Sequence, residues 1–202
     1  MRFVAEAGLL KGVQRQTMLS GLDRRENSAE HSWHLAIMAL VLAGYAPEGT
    51  DLLRVLRMVL IHDLVEIDAG DLFLYSSPES QAAQDAAERV AADRLFTLLP
   101  PDQAGELRVL WDEFNDRVSA DARFARALDR LQPMLENLAV GGGTWVEHGV
   151  TADQVLARVE LIKDGSPVLG ELAAELVAGA VESGLLAPAP AAASGDEAPA
   201  GT

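Results

Sequence analysis

Apolar residues recur along this chain at helical spacing, and no alternation of apolar and polar positions is long enough to predict a strand. Proline, glycine and capping residues divide the pattern into segments. We therefore predict a short helix over residues 1–10, a polar, arginine-rich connector over residues 11–27, and seven longer helices. The longer helices are predicted over residues 29–44, 51–67, 79–98, 102–115, 120–139, 152–163 and 167–184.

The predicted helix ends depend on single residues with known preferences. Ser28 and Thr50 are predicted N-caps, because a hydroxyl at this position accepts a hydrogen bond from a free backbone N–H group. Gly70 is a predicted stop, since glycine adopts the left-handed conformation that closes many helices. Pro133 is predicted to kink its helix, and the glycine run over residues 141–143 is predicted to form a loop.

Composition narrows the fold class. The chain has 202 residues, of which 49% are hydrophobic and only 5% are aromatic. This balance favours an all-α fold, and we predict a single helical domain over residues 1–185. Residues 186–202 consist largely of alanine, proline, glycine and acidic residues. They cannot bury enough apolar surface to offset the cost of ordering, so we predict a disordered C-terminal tail.

Charge and hydropathy exclude some partners. The formal net charge is −15, which would repel a nucleic acid polymer, although a local arginine can still bind a small nucleotide inside a pocket. The chain has no cysteine, so disulfides and thiolate metal ligands are excluded. The longest apolar stretch, residues 35–46, is shorter than the ~20 residues that a membrane helix needs. With no signal-peptide pattern either, we expect no membrane partner and a cytoplasmic location.

Ionisable residues interrupt two apolar stripes at inward positions. At about 100° per residue, His62 and Glu66 continue the stripe that begins at Val55, and Asp63 lies one step round the helix. The first long helix is apolar nearly all round, is therefore predicted to be buried, and carries His31 at an inward position. Two inward histidines and a carboxylate suit Mn, Co, Fe, Ni or Zn. On the residues alone, such a site and a set of hydrogen-bonded core side chains are equally compatible with the pattern.

Two runs combine these residues in a defined order. The first is Glu26-Asn27-Ser28-Ala29-Glu30-His31-Ser32, and the second is His62-Asp63-x-x-Glu66-x-x-x-Gly70-Asp71. Two later stretches follow, Trp111-Asp112-Glu113-Phe114 and Ala127-Leu128-Asp129-Arg130-Leu131. Over about residues 8–140, the chain resembles the 5′-deoxynucleotidase branch of the HD-domain phosphohydrolases. The resemblance implies an HD-domain helical bundle with one divalent metal ion, for which Mn, Co, Fe, Ni, Zn and Mg are candidates.

The resemblance also implies roles for individual residues. The implied metal ligands are His31, His62, Asp63 and Asp129. The assignment of Asp129 as a ligand depends on the resemblance only. On a helical wheel Asp129 lies away from the apolar stripe of its helix, so spacing alone predicts a solvated side chain. Glu66 is implied to transfer a proton or orient water, with Asp71 as its partner. Arg15 corresponds to a phosphate-contacting arginine, and its fork of donors fits phosphate. The next residue, Gln16, replaces an aromatic residue of the bacterial enzyme, which bears on sugar or base recognition.

These implications predict hydrolysis of a (deoxy)nucleoside 5′-monophosphate to nucleoside and phosphate, by a chain that forms a homodimer. Another phosphoester substrate, such as a nucleoside triphosphate or a sugar phosphate, stays open, and so does a non-catalytic nucleotide-binding regulator. A two-metal oxygenase or a cyclic dinucleotide phosphodiesterase would need additional histidines, and only His34 and His148 are spare. We expect His148 at the surface in a loop, and His34 has no assigned place.

Overall fold

The computed structural model describes residues 1–190 and shows helices packed around one core, with a two-stranded sheet at one side. The predicted all-α class is confirmed. The α-helices are α1 (Arg2–Ala7), α2 (Ser28–Val41), α3 (Leu52–Ile61), α4 (Glu66–Ala69), α5 (Pro78–Phe96), α6 (Pro101–Asp116), α7 (Ala120–Ala139), α8 (Gly143–His148), α9 (Ala152–Gly165) and α10 (Pro167–Glu182). Three 3₁₀ helices lie between them, at Gly8–Gly12, Ala43–Tyr45 and His62–Val65. Within residues 1–190, no helix has the length and apolar character needed to cross a membrane.

Helix α7 is the centre of the fold. It packs against α2, α3, α6 and α9, and its Phe124 is buried together with Phe114 of α6 and Trp145 of α8. Helix α9 approaches α7 closely because Gly165 has no side chain. A Cβ at this position would lie only 2.2 Å from the carbonyl oxygen of Arg123. Each large apolar side chain contributes about 1.5–3 kcal/mol to the free energy of folding when it is buried. Because several such side chains hold α7 in place, this helix is a rigid support for the polar residues that it also carries.

The N-caps of α2 and α3 each lie one residue from the predicted position. Asn27, not Ser28, caps α2 and forms a capping box. Asp51, not Thr50, caps α3. Both predictions were wrong because the hydroxyl groups have other partners. The Ser28 hydroxyl donates to Glu66, and the Thr50 hydroxyl donates to a loop carbonyl.

The predicted connector over residues 11–27 contains two short strands that the sequence did not indicate. β1 (Gln14–Met18) pairs antiparallel with β2 (Arg25–Asn27), and the register is irregular between its two ends. Both strands are short and polar, so they carry no alternating pattern that periodicity could detect. The sheet contacts α7 and α8, and this packing turns Arg15 and Glu26 toward the interior.

The predicted helix over residues 51–67 is divided rather than continuous. Helix α3 ends at Ile61, a single 3₁₀ turn follows, and α4 then begins at Glu66. The carbonyl oxygen of His62 accepts a hydrogen bond from Nε1 of Trp111 at 3.0 Å, so this group is satisfied by a side chain. Gly70 closes α4 at φ 75°, as predicted. Helix α7 contains Pro133 and continues through it, so the predicted helix over residues 120–139 has the predicted bounds.

The segment after α7 contains a short helix that the glycine run concealed. Gly141, Gly142 and Gly143 all adopt positive φ, but Gly143 is already the first residue of α8. Oδ1 of Asn137 accepts a hydrogen bond from the backbone N–H of Thr144 at 2.8 Å, which fixes the first turn. His148 is exposed as expected, but it lies at the end of this helix and not in a loop.

One side of α2 is exposed, although the whole helix was predicted to be buried. Leu35 is fully buried against the core, whereas Trp33 is 63% exposed and Ile37, Leu40 and Val41 are also exposed. The prediction was wrong because the described neighbours of α2 cover only its inner side. The number of apolar residues on a helix does not show on how many sides it has neighbours.

The predicted tail begins within packed structure. Leu186 is only 2% exposed, and the carbonyl oxygen of Ala187 accepts a hydrogen bond from the N–H of Ala152 at 2.8 Å. The folded domain therefore continues past the predicted boundary at residue 185. Residues 191–202 of the predicted tail lie outside the described residues.

Candidate metal centre

Four buried side chains from separate parts of the chain meet beside a cavity. His31 comes from α2, His62 and Asp63 come from the 3₁₀ turn after α3, and Asp129 comes from α7. His31 Nε2 lies 3.0 Å from Asp129 Oδ1 and 4.0 Å from Asp63 Oδ2. His62 Nε2 lies 2.9 Å from Asp63 Oδ1 and 3.6 Å from Asp129 Oδ1. Ligand atoms of the two histidines and Asp63 all lie within 4.8 Å of one another, so the predicted convergence of these three is confirmed.

Asp129 is buried, although its spacing indicated a solvated residue. Its exposure is 4%, and burial of both sides of α7 is the reason for the error. A helix at the centre of a fold has neighbours beyond its main apolar stripe, and a polar residue there needs specific partners. Asp129 finds them in the two histidines on one side and in Arg126, at 3.2 Å, on the other.

Hydrogen bonds show which imidazole nitrogen of each histidine carries the proton. Nδ1 of His62 lies 2.9 Å from the carbonyl oxygen of Val59, which only accepts, so Nδ1 donates. Nδ1 of His31 lies 3.0 Å from Oε1 of Gln132, whose amide nitrogen donates to Glu26 at 2.8 Å. The amide oxygen therefore accepts from His31. In the neutral form of both rings, each Nε2 then presents a lone pair toward the carboxylates.

Lone pairs and carboxylate oxygens repel one another unless a positive charge lies between them. Nε2 of His62 has no hydrogen-bond partner, although Asp63 Oδ1 is only 2.9 Å away. Burial lowers the pKa of His62, but Asp63 and Asp129 outweigh it and raise the pKa to about 10. Burial and the charge of Arg15 lower the pKa of His31 to about 4. The cluster thus favours one positive charge at its centre, and its nitrogen and oxygen donors fit a divalent metal ion.

Glu66 lies beside this cluster at the start of α4 and is 7% exposed. Its Oε2 accepts a hydrogen bond from the Ser28 hydroxyl at 2.6 Å. Burial, and then the charge of Asp63, raises the pKa of Glu66 well above its usual value. A carboxyl group that is held at one oxygen, and that binds a proton readily, suits proton exchange with a ligand in the cavity.

Arg15 on β1 is surrounded by acidic groups. Its Nη1 lies 3.0 Å from Asp63 Oδ2 and 3.4 Å from Asp71 Oδ1, and its Nε lies 3.4 Å from Glu26 Oε2. Burial lowers the pKa of Arg15, but the charges of Asp63 and Asp71 raise it more, so the pKa is above its usual value. Asp71 therefore pairs with Arg15, whereas the sequence predicted it as the partner of Glu66.

Sequence reasoning gave no role to two buried residues that support the histidines. Gln132 is 0% exposed and Glu26 is 1% exposed. The Gln132 side chain forms hydrogen bonds to both His31 and Glu26. Its Nε2 also lies 3.2 Å from Nδ1 of His34, so His34 lies beside the metal centre. One signal was available, because Gln132 follows Asp129 by three residues and helical residues at this spacing share a face.

Three of the four side chains, His62, Asp63 and Asp129, border a cavity of about 420 Å³, a size that suits a small-molecule ligand. Arg15, Glu66 and Asp71 line it near the cluster, as does Gln16. The other lining residues include an aromatic pair, Phe73 and Tyr75, with ring centroids 5.4 Å apart. They also include five arginines: Arg89, Arg117, Arg126, Arg130 and Arg158.

The fold and this cluster agree with the sequence motifs on the class of protein. The HD domain family matches residues 7–169, and the chain belongs to that family. The predicted family is therefore confirmed, and the match extends beyond the residues that carried the resemblance.

Individual relatives are similar over most of the chain. A crystal structure of a predicted metal-dependent phosphohydrolase from Magnetospirillum magnetotacticum shares 54% identity at a TM-score of 0.89, and the match covers 93% of this chain and 94% of that one. The 5′-deoxynucleotidase HDDC2 of Bos taurus is 30% identical over 140 residues, or 67% of this chain. This chain thus spans 65% of the length of that relative. A 5′-deoxynucleotidase of Yersinia pestis is 27% identical over 164 residues, which cover 77% of this chain and 83% of the relative.

Proposed function

We propose that this chain is a metal-dependent phosphohydrolase that releases phosphate from deoxynucleoside 5′-monophosphates. The observation that carries the proposal is the convergence of two Nε2 lone pairs and two carboxylates, from His31, His62, Asp63 and Asp129, beside a cavity. The similarity to proteins named 5′-deoxynucleotidases and to a predicted metal-dependent phosphohydrolase supports it.

The four side chains would hold one divalent ion, with Mn, Co, Fe, Ni, Zn and Mg as candidates. A divalent ion bound there would polarise the phosphoryl group and lower the pKa of the attacking water. The hydrogen bonds from Nδ1 of His31 to Gln132 and from Nδ1 of His62 to Val59 orient the two imidazoles for this task.

Glu66 and Arg15 would act on the substrate directly. Glu66 would exchange a proton with the attacking water or the leaving group through the oxygen that Ser28 does not hold. Arg15 would contact the phosphate, because its guanidinium already lies 3.0 Å from Asp63 beside the centre. Asp71, at 3.4 Å from Arg15, would position that guanidinium.

Another phosphoester is the second candidate substrate. Gln16 lines the cavity at the position where the sequence comparison predicted altered sugar or base recognition. The non-catalytic regulator is less favoured, because the implied ligands and Glu66 are all present and all buried. The homodimer and the cytoplasmic location stay predictions.

The proposal is tested with purified protein loaded with Mn or Co. Phosphate release is measured for deoxynucleoside and ribonucleoside 5′-monophosphates, with nucleoside triphosphates and sugar phosphates in the same panel. We expect orthophosphate from the deoxynucleoside monophosphates. Pyrophosphate or triphosphate as the main product would instead identify the second candidate. Fully metal-loaded protein that releases no phosphate from any monophosphate would contradict the proposal.

A further inference from the structure

Six arginines line the cavity, and we call three of them the arginine wall: Arg126 and Arg130 from α7, and Arg158 from α9. Arg126 and Arg130 are four residues apart and so lie on the same face of α7. The Nε atoms of Arg130 and Arg158 are buried and have no hydrogen-bond partner. Since guanidinium N–H groups are strong donors, these two side chains retain unused hydrogen-bonding capacity.

The arginine wall has fewer acidic partners than arginines. Asp129 Oδ2 lies 3.2 Å from Arg126 Nη1 and 3.6 Å from Arg130 Nη1, while Oδ1 of the same carboxylate faces the histidines. Glu88 lies near Arg126 without forming an ion pair to it. Within residues 1–190, Arg158 has no carboxylate within 4.0 Å, and its Nη2 donates to a backbone carbonyl at 3.0 Å. One carboxylate, shared with the metal cluster, therefore serves Arg126 and Arg130, and Arg158 has none among the described residues.

Positive charges that are partly buried and have too few acidic partners oppose folding, so such a group of side chains is expected where a ligand completes it. Burial and then the charge of Arg130 lower the pKa of Arg158. An anionic ligand would remove this penalty, and the planar fork of donors on arginine fits phosphate oxygens.

Arg130 Nη1 lies 3.6 Å from Asp129 of the metal cluster, whereas Arg158 has no carboxylate within 4.0 Å among residues 1–190. The Arg158 guanidinium lies 6.0 Å from the centroid of the Tyr75 ring. A phosphoryl group at the metal cluster would therefore reach Arg126 and Arg130, and Arg158 would face a different part of the ligand.

We propose that the arginine wall binds a second anionic group, so that the preferred ligand of this cavity carries two phosphate groups. Arg158 is the residue that distinguishes such a ligand from a simple monophosphate. A deoxynucleotide with a second phosphate group would then bind more tightly than the corresponding monophosphate. The inference rests on the proposed function only for the position of the first phosphoryl group.

The test compares pyrophosphate with orthophosphate by titration calorimetry, at one buffered concentration of free Mn. We expect wild-type protein to bind pyrophosphate more tightly. Arg158→Gln should weaken pyrophosphate binding by about tenfold or more, and orthophosphate binding by less than about threefold. Lys163→Gln is the matched control, because it removes one positive charge from an exposed position of the same helix. It should change neither affinity by more than about twofold.

Circular dichroism and thermal unfolding establish that each variant is folded. Arg158→Lys keeps the charge without the fork, and it replaces the glutamine variant if that variant does not fold; we expect it to lose part of the pyrophosphate affinity. The inference is overturned if substitution at Arg158 leaves pyrophosphate binding unchanged, or weakens both anions equally. Phosphate release is measured separately. If pyrophosphate binding depends on Arg158 but no phosphate is released from any substrate, only the proposed function is contradicted. If phosphate is released but pyrophosphate binding does not depend on Arg158, only this inference is contradicted.

Discussion

The metal cluster and the arginine wall border the same cavity, but their charges are arranged in opposite ways. Around the metal cluster, acidic groups outnumber basic ones, and Arg15 alone lies within 4 Å of three of them: Glu26, Asp63 and Asp71. In the arginine wall, Arg126 and Arg130 share the single carboxylate of Asp129, and Arg158 has no carboxylate within 4.0 Å among residues 1–190. One side therefore favours a cation and the other an anion, and a metal ion with a phosphorylated ligand would satisfy both.

This difference shows what net charge can and cannot indicate. The chain carries −15 overall, and that value argues against a polyanion that would contact much of the surface. Inside the cavity, however, the sign of the local charge changes between two adjacent residues of α7, Asp129 and Arg130. Recognition of a small ligand depends on this local arrangement, because charges more distant than about 10 Å are largely screened by salt.

The largest expected effect comes from breaking the metal cluster. His62→Asn removes a buried Nε2 atom that is a proposed metal ligand. The amount of metal bound per chain should therefore fall, and the rate of phosphate release should drop on the order of 10³-fold or more. Elemental analysis and the phosphate-release assay measure the two effects. Glu175→Gln, at an exposed position of α10 away from the cavity, should change neither. Full activity and full metal content in His62→Asn would show that the cluster is not the functional centre.

The next effect separates proton transfer from metal binding. Glu66→Gln keeps the shape of the side chain but cannot exchange a proton, so kcat should fall about 10²- to 10⁴-fold while metal content stays constant. Asp68→Asn on the same short helix is the control. Asp68 is exposed and pairs with Arg94 at the surface, so its loss should leave kcat unchanged. An unchanged kcat in Glu66→Gln would contradict the assigned role.

The contrast between the metal cluster and the arginine wall also predicts that arginine substitutions on the two sides lower the stability of the protein by different amounts. Arg15→Gln leaves three carboxylates without their shared partner, and we expect the free energy of unfolding to fall by about 3–5 kcal/mol. Arg126→Gln instead removes one of several like charges, and the change should stay within about 1 kcal/mol. Denaturant unfolding of both variants measures this. A larger loss in Arg126→Gln than in Arg15→Gln would reverse the comparison.

The smallest expected effect concerns the support of the cluster. Gln132→Met has a similar shape but cannot accept the hydrogen bond from Nδ1 of His31. Because partners of this kind orient metal-binding imidazoles, the dissociation constant of the metal should rise about 10- to 100-fold. Gln103→Met, at an exposed position of α6, should leave it unchanged. Equal metal affinities in the two variants would mean that Gln132 does not support His31.

Parts of the site were predictable because periodicity reports burial. His62 and Glu66 fall on the inward stripe of their segment, and His31 falls on that of α2, so their burial followed from spacing. Asp129 was predictable only through resemblance, because its burial depends on the central position of α7. The two short strands had no periodic signal at all, and the inward position of Arg15 depends on them.

The sequence by itself determined the helical class, the inward histidines and the family, because these depend on residues within a few turns of one another or on motifs in a fixed order. The tertiary structure decided which groups meet. His31 and Gln132 are 101 positions apart in the chain and 3.0 Å apart in space. The partners of Arg15 and the arginine wall likewise come from segments that only packing brings together. Helical spacing fixes the direction of a side chain on its own helix, whereas electrostatic and hydrogen-bond energies depend on distances between helices.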